Sequence, residues 1–148
     1  MNEHENKELS QKEKRLGLMI WFRLSRVYNQ SIRLNNEFMK QWGLTSAQFD
    51  VLIQVGVHKE LTQKELGEKL FVTKGNITQL IRKMENMGLV KREQNWKTKT
   101  ISLTKQGEEL FEEMVPQQEQ FQASQFMGLE PEEQVILHDL LKKLQKNM

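Results

Sequence analysis

The fold of this chain is decided by residues 61–92, which read LTQKELGEKLFVTKGNITQLIRKMENMGLVKR. Thr62 and Glu65 stand three residues apart, which is the spacing of a capping box. In that arrangement each side chain satisfies a backbone N–H that the first helical turn leaves free. A helix is therefore predicted to begin here, and it is expected to end near Leu70.

A second helix is predicted after an apolar turn formed by Phe71 and Val72. Thr73 is its candidate N-cap, and Gly88 suits the left-handed position that commonly follows the end of a helix. Between them, apolar residues recur at helical spacing and predict a buried stripe. This stripe consists of Ile77, Leu80, Ile81 and Met84. Two helices joined by so short a turn predict a helix–turn–helix over about residues 62–88.

The outer face of the second helix is predicted to carry short polar and basic side chains. They are Lys74, Gly75, Asn76, Thr78, Gln79 and Arg82. Asparagine and glutamine can bind adenine, arginine can bind guanine, and glycine lets the backbone come close to DNA. Any one of these residues would also suit an ordinary helix surface. As a group on the second helix of this motif, with Thr73 at its start, they favour recognition of bases in the major groove.

A β-hairpin is predicted over about residues 89–104, with strands at 89–92 and 100–104. The loop between them, residues 94–99, presents three side chains of interest: Trp96, Lys97 and Lys99. A cationic hairpin tip beside a recognition helix suits the minor groove or the flanking phosphates. Trp96 could stack on a sugar, although packing of this ring against its own domain is the favoured interpretation.

The basic charge of the chain is concentrated in the same segment. The 148 residues together carry a net charge of only +2. Residues 59–106 contain eleven lysines and arginines against five glutamates and no aspartate, so their net charge is +6 and that of the remainder is −4. A polyanion-binding surface requires such a local excess, and it predicts DNA binding that weakens steeply with salt.

Long helical patterns lie on both sides of the predicted helix–turn–helix and hairpin. The first, residues 16–42, carries one apolar stripe that includes Leu16 and Leu24 and another that includes Trp21 and Tyr28. Two apolar faces on one helix suggest contacts both with its own domain and with a second subunit.

On the C-terminal side, a long helix capped by Thr104 is predicted from residue 105, with a kink or a brief break at Pro116. A last helix is expected to begin at Pro131. Its buried stripe is Ile136, Leu137, Leu140, Leu141 and Leu144. The end helices are expected to join two chains into an intertwined homodimer, which would set two recognition helices about one turn of DNA (~34 Å) apart.

These patterns predict a mainly α fold of the α+β winged-helix type, with a winged helix–turn–helix core and N- and C-terminal dimerisation helices. Thr45 and Gln48 form a further capping box at the start of the core. The predicted domains are a flexible tail at 1–10, a helical dimerisation region at 11–45 and 105–148, and the winged helix–turn–helix region at 46–104.

The composition excludes several kinds of site. Without cysteine, the chain has no disulfide, zinc–thiolate site or thiol sensor. His4, His58 and His138 are far apart and lack the spacing of metal ligands, so no metal and no cofactor is predicted. No catalytic triad order, phosphate-binding glycine loop or paired acid indicates an enzyme. There is no apolar run for a membrane span and no signal peptide, so a cytoplasmic protein is expected.

The order of these motifs resembles that of the MarR/SlyA transcriptional regulators. The resemblance extends over about residues 12–144 and rests on GLTSAQFDVL at 43–52, LTQKEL at 61–66, VTKGNITQLIRKMENMGLV at 72–90 and ISLTKQG at 101–107. It implies a homodimer that binds pseudo-palindromic double-stranded DNA, usually as a repressor. It also implies possible release of the DNA by a small hydrophobic or phenolic effector that binds between the dimerisation and DNA-binding regions.

By position, the resemblance assigns recognition-helix contacts to seven residues: Thr73, Lys74, Gly75, Asn76, Thr78, Gln79 and Arg82. Where the family usually has Asp-x-Arg in the wing, this chain has Asn95-Trp96-Lys97 in a shorter loop. The intra-wing salt bridge of the family is therefore absent. Weaker or less specific wing contacts are expected, with Lys97 and Lys99 as the candidate contacts.

Aromatic and methionine side chains in the end helices could line an effector pocket, with Trp21, Phe22, Met39 and Phe111 as candidates. A dimer core is the favoured interpretation of the same residues. The predicted function is a ligand-responsive transcriptional regulator. The alternative is an architectural DNA-binding protein without an effector, and a third possibility is a helical interaction dimer or small enzyme whose helix–turn–helix is vestigial.

Overall fold

The computed structural model describes residues 8–70 and 74–148, without the side chains of Lys74 and Asn95. Most of the predicted tail, the apolar turn of Phe71 and Val72, and Thr73 lie outside these described residues. The predicted DNA contacts of Thr73 and of the Lys74 side chain are therefore not placed.

The elements follow one another in the order of a winged helix–turn–helix, and the predicted mainly α winged-helix fold is confirmed. The helices are α1 (Gln11–Met39), α2 (Ser46–His58), α3 (Gln63–Leu70), α4 (Lys74–Asn86), α5 (Lys105–Ser124) and α6 (Pro131–Lys146). The strands are β1 (Glu60–Thr62), β2 (Val90–Asn95) and β3 (Thr98–Leu103). A short 3-10 helix at Lys40–Trp42 follows α1, where the sequence predicted a continuous α-helix.

The predicted caps at Thr45 and Thr62 are present, whereas the predicted cap Thr73 lies outside the described residues. The hydroxyl of Thr45 accepts from the backbone N–H of Gln48 at 3.2 Å, and the hydroxyl of Thr62 accepts from that of Glu65 at 3.1 Å. Gly88 has φ +77°, the left-handed conformation predicted for the end of the second helix of the motif. These local signals therefore set where α2 and α3 begin and where α4 stops.

A further capping box, between Ser10 and Glu13, starts α1. The hydroxyl of Ser10 accepts from the N–H of Glu13 at 3.1 Å, and the Glu13 carboxylate accepts from the N–H of Ser10 at 2.8 Å. Ser10, the last residue of the predicted flexible tail, is thus the N-cap of a 29-residue helix.

The sheet has three antiparallel strands in the order β1-β3-β2. The sequence analysis missed β1, in which Leu61 pairs with Ile101. It also placed the hairpin loop at residues 94–99, which was wrong. Asn95 pairs with Thr98, so only residues 96 and 97 form the loop. The polar residues before the turn show no apolar alternation, but backbone pairing in a hairpin does not depend on burial of the side chains.

The hydrophobic core lies in the winged region and is built from α2, α3, α4 and the sheet. The fully buried residues include Leu52, Val55, Leu66, Ile81 and Ile101. The flanking helices add Met39 at the end of α1 and Met114 in α5. The chain's own core therefore fixes the helix–turn–helix, and the outer helices join it only where they approach it.

Two apolar surfaces of the outer helices stay uncovered. On α1 the exposed apolar residues are Leu16, Leu18, Met19, Ile20, Trp21, Phe22, Leu24, Val27, Tyr28 and Leu34. On α6 they are Val135, Ile136, Leu140, Leu141 and Leu144. The stripe that the sequence predicted to be buried on the last helix is thus largely open within one chain.

The helix α5 continues through Pro116 to Ser124, without the break that was one predicted outcome. Packing on both sides of the proline holds it, because Met114 is fully buried and Phe121 stacks on Phe38 with ring centroids 4.1 Å apart. Gly56 of α2 lets α5 approach closely, since a Cβ at this position would collide with the ring of Phe111.

The base of the β2–β3 hairpin is fastened to the end of α4. The hydroxyl of Thr104 donates to the carbonyl oxygen of Gly88 at 2.6 Å, and its backbone N–H donates to that of Leu89 at 3.0 Å. Gly107 completes the junction, since a Cβ there would collide with the Leu89 carbonyl. The hairpin therefore leaves the domain at a fixed place beside α4.

Candidate nucleic-acid interface

The helix α4 exposes a polar ridge opposite its buried side. Ile77, Ile81 and Met84 are at most 2% exposed. Successive residues turn by about 100° around a helix axis, so the residues opposite these three can be read from the sequence. They are Gly75, Gln79, Arg82 and Asn86, and all of them are exposed. We call these four residues the α4 ridge.

Asn76 and Lys83 lie exposed on one flank of the α4 ridge. The sequence analysis had named Asn76 but had missed Lys83 and Asn86. Both follow predicted contact residues by four positions, Lys83 after Gln79 and Asn86 after Arg82. Continuing the same helical period by one turn would have found them.

Thr78, predicted to contact DNA, lies on the other flank and is half-buried. Its hydroxyl accepts a hydrogen bond from the amide of Gln63 at 2.6 Å. Gln63 is the first residue of α3, so this contact ties the two helices of the motif together near the start of α4. Thr78 thus has an intramolecular partner in addition to any contact with DNA.

Glu85 lies on the same flank, two turns after Thr78. Its carboxylate is 2.7 Å from the guanidinium of Arg92 on β2, and only 28% of the Arg92 side chain and 29% of the Glu85 side chain are exposed. This ion pair holds the hairpin against the C-terminal end of α4. The sequence analysis missed this pair, because residues seven apart in different elements carry no local signal.

Trp96 does not pack against its own domain, so the favoured interpretation of this residue was wrong. The side chain is 95% exposed, and the backbone has φ +56°. With only residues 96 and 97 between the paired strands, the ring lies at the end of the hairpin, beyond the reach of the core. Lys97 and Lys99, the two predicted wing contacts, are exposed beside it.

Positive charge remains available on both elements. Arg82 and Lys83 on α4, and Lys97 and Lys99 on the hairpin, form no ion pair with any other described residue. Lys91, by contrast, lies 3.7 Å from Glu93, and both side chains are more than half exposed. Unpaired positive charge thus lies on the α4 ridge at Arg82, on its flank at Lys83 and at the hairpin tip.

The four predicted effector-pocket residues do not meet around one cavity. A cavity of about 740 Å³ lies between α1 and α6 and is lined by apolar side chains, including Phe22, and by Arg23 and Arg26. Trp21 is exposed and does not line it. Met39 is fully buried in the core, and Phe111 packs against Gly56.

Ionisable groups elsewhere add little to this picture. Partial burial raises the pKa of the Asp50 carboxyl on α2. Within residues 8–70 and 74–148, no group of three histidine, aspartate or glutamate side chains is placed to hold a metal ion. Over the same residues, no helix combines the length and apolar character that crossing a bilayer needs.

The Glu85–Arg92 pair is expected to stabilise the fold measurably. A double-mutant cycle with Glu85→Gln and Arg92→Gln should give a coupling free energy of about 0.5–1.5 kcal/mol, because both groups are mostly shielded from water. The measurement is the free energy of unfolding in urea. Lys91→Gln with Glu93→Gln is the matched control and should give a coupling near zero. Equal coupling in the two cycles would mean that the first pair does not anchor the hairpin.

Comparisons with known proteins agree with this geometry. Residues 42–95 match the model of the MarR family. An HTH-type transcriptional regulator of Bacillus cereus is 50% identical over 133 residues, which cover 89% of this chain and 90% of that protein. A mutant of Escherichia coli MarR, solved with operator DNA, has a TM-score of 0.75 at 27% identity and covers 93% of this chain and 99% of its own.

BpsR of Bordetella bronchiseptica has a similar fold, with a TM-score of 0.79 at 25% identity over 86% of this chain and 98% of its own. Its structure is described as explaining how 6-hydroxynicotinic acid regulates DNA binding by BpsR. The half-identical relative matches this chain almost from end to end, and the family model covers the helix–turn–helix itself. The chain therefore belongs to the MarR family of winged helix–turn–helix transcriptional regulators.

Proposed function

We propose that two copies of this chain form a homodimer that represses transcription by binding a pseudo-palindromic operator. Each copy places its α4 ridge in a major groove and its hairpin beside the neighbouring minor groove. The observation that carries this proposal is the α4 ridge, which is exposed along its length and held in place from one side. In the MarR complex, a protein of the same family is bound to operator DNA.

The side chains of the α4 ridge have the chemistry for reading bases. Arg82 can form two hydrogen bonds with guanine, and Gln79 can do the same with adenine. Gly75 leaves room for the backbone to approach the groove, where the N-terminal residues of a recognition helix contact the base edges. Lys83 on the flank is suited to a phosphate contact.

The anchoring of α4 supports the same assignment. Thr78 and Glu85 both lie on one flank, where they bind Gln63 of α3 and Arg92 of β2. The residues of the α4 ridge make no such contacts with α3 or β2. They are therefore available to bind DNA while the helix keeps one orientation. A fixed reading face loses less conformational entropy on binding than a mobile one.

The uncovered apolar surfaces of α1 and α6 support the homodimer. A soluble monomer rarely exposes large contiguous apolar patches. Trp21 is 64% exposed, Tyr28 is 65% exposed and Leu140 is 59% exposed. Pairing of these helices across a two-fold axis would cover them and would present two α4 ridges to the two halves of an inverted repeat.

Loss of Arg82 should weaken operator binding. With a duplex that the wild-type protein selects from a random pool, Arg82→Ala is expected to cost about 1–3 kcal/mol in binding free energy and to relax the preference at one base pair. Fluorescence anisotropy measures the affinity. Arg33→Ala, which removes an exposed arginine from α1, is the matched control. Equal affinities for the wild type, Arg82→Ala and Arg33→Ala would overturn the assignment of α4 as the helix that reads bases. Weak binding of the wild type to every duplex, without sequence preference, would favour an architectural protein.

Disruption of the α6 stripe should separate the subunits. Leu140→Glu places a charge in the proposed apolar interface and is expected to shift the protein from dimer to monomer in sedimentation velocity and to weaken operator binding at least tenfold. Lys143→Glu introduces the same residue three positions away, where the wild type is already charged. A wild-type protein that sediments as a monomer at micromolar concentration would contradict the homodimer.

We further propose that a small aromatic acid causes release from DNA by binding in the cavity between α1 and α6, where it competes with the second copy for the same apolar surface. Support comes from the apolar lining with Arg23 and Arg26 beside it, and from the regulation of BpsR by a hydroxylated aromatic acid. The expected effect is a several-fold rise in the apparent Kd for DNA with 6-hydroxynicotinate, and a smaller rise with its uncharged amide. Arg23→Gln should reduce the response to the acid. An unchanged Kd for DNA in the presence of saturating acid would contradict this part of the proposal.

A further inference from the structure

The tip of the β2–β3 hairpin carries a tryptophan that no other described residue covers. Trp96 is 95% exposed, whereas Trp42 is half-buried, stacks edge-on against Phe38 and donates to Glu113 at 3.3 Å. An indole buries a large apolar area when a partner covers it. In the isolated chain Trp96 gains none of that stabilisation, so packing does not explain its place at the tip.

The backbone at Trp96 adds a second unfavourable feature. Its φ of +56° lies in the left-handed region, which bulky side chains rarely adopt. Two-residue hairpin loops need such a conformation and ordinarily place glycine or asparagine there. A tryptophan neither relieves this strain nor packs, and strain of this kind concentrates at functional sites.

The surroundings of Trp96 indicate what the tip contacts. Lys97 follows it in the loop, and Lys99 pairs with Gln94 across the hairpin. Both lysines are exposed, and neither forms an ion pair with another described residue. An aromatic ring beside unpaired cations is a combination that binds nucleic acids, because bases and sugars stack on the ring while phosphates pair with the charges. An apolar protein surface would have to desolvate both lysines.

The position of the hairpin places Trp96 at the right distance from α4. Arg92 is held to Glu85 near the end of α4, and Trp96 follows Arg92 by four positions along the hairpin. At about 3.3 Å per residue, the tip reaches roughly 13 Å beyond this anchor. This reach is comparable to the ~12 Å width of the major groove, so a hairpin beside an α4 seated there can cross one phosphate backbone to the adjacent minor groove.

We propose that Trp96 is an apolar wedge that enters the minor groove flanking each half-site, with Lys97 and Lys99 on the phosphates beside it. This inference rests on the proposed function and names how the wing takes part in it. A wedge that partly unstacks a base step favours steps that unstack easily, such as TA and CA/TG. The hairpin would thereby add sequence preference outside the bases that α4 reads.

The first experiment compares variants of the full chain on the duplex that the wild type selects from a random pool. Trp96→Ala should lower the affinity about tenfold, and Trp96→Phe should keep it within about twofold, because phenylalanine retains an aromatic face. The slope of log Kd against log salt should not change in Trp96→Ala. It should fall by about one in Lys97→Ala, which removes a phosphate contact.

The second experiment looks for the wedge directly. A 2-aminopurine at a TA step flanking the half-site should become more fluorescent when the wild type binds and should not respond to Trp96→Ala. Replacing that TA step by AA should weaken binding by the wild type several-fold and leave Trp96→Ala unaffected. A role of Trp96 in holding the hairpin together would produce neither signal.

Stability measurements separate the remaining outcomes. Trp96→Gly should keep or raise the thermal midpoint while it lowers DNA affinity, because glycine accepts the positive φ and no packing is lost. A lower midpoint, or loss of the dimer in sedimentation, would overturn the proposal by assigning the ring to the fold or to a second copy. Wild-type affinity in Trp96→Ala would overturn the wedge alone. Failure of the wild type to bind any selected duplex would instead contradict the proposed function.

Discussion

The burial of Ile77, Ile81 and Met84 against α2, α3 and the sheet is the constraint on which the direction of the α4 ridge depends. Three apolar side chains with almost no exposure fix the rotation of α4 about its own axis. A turn of 100° would expose at least one of them at a cost of roughly 1.5–3 kcal/mol. The polar contacts of Thr78 and Glu85 then fix the tilt of the helix at two points of one flank. The direction of the α4 ridge is thus set by residues that never need to contact DNA.

Local signals in the sequence were sufficient for most helix boundaries. Thr45, Thr62 and Thr104 cap their helices as predicted, and Gly88 adopts the left-handed conformation that ends α4. Such signals work because a cap involves residues only three positions apart. The apolar stripe of α4 was likewise predictable from its period. The predicted polar face, however, ended one turn too early and omitted Lys83 and Asn86.

Features that depend on contacts between distant residues could not be predicted in the same way. The strand β1 exists because Leu61 pairs with Ile101, forty positions later. The pair of Glu85 and Arg92 needs the hairpin to fold back against α4. Trp96 was expected to follow the usual rule that large apolar rings are covered. Only the tight turn at residues 96 and 97 shows that this ring lies out of reach of the core.

The four residues of the α4 ridge hold nothing else in place. Among the described residues, Gln79, Arg82 and Asn86 form no side-chain hydrogen bond or ion pair, and Gly75 has no atom near the position of a Cβ. Substitutions at such exposed positions usually change the stability of a protein by less than about 0.5 kcal/mol. Under the proposed function, descendants of this chain can therefore drift toward new operators while their folding remains intact, and duplicated copies can diverge in the genes they control without first acquiring compensating mutations.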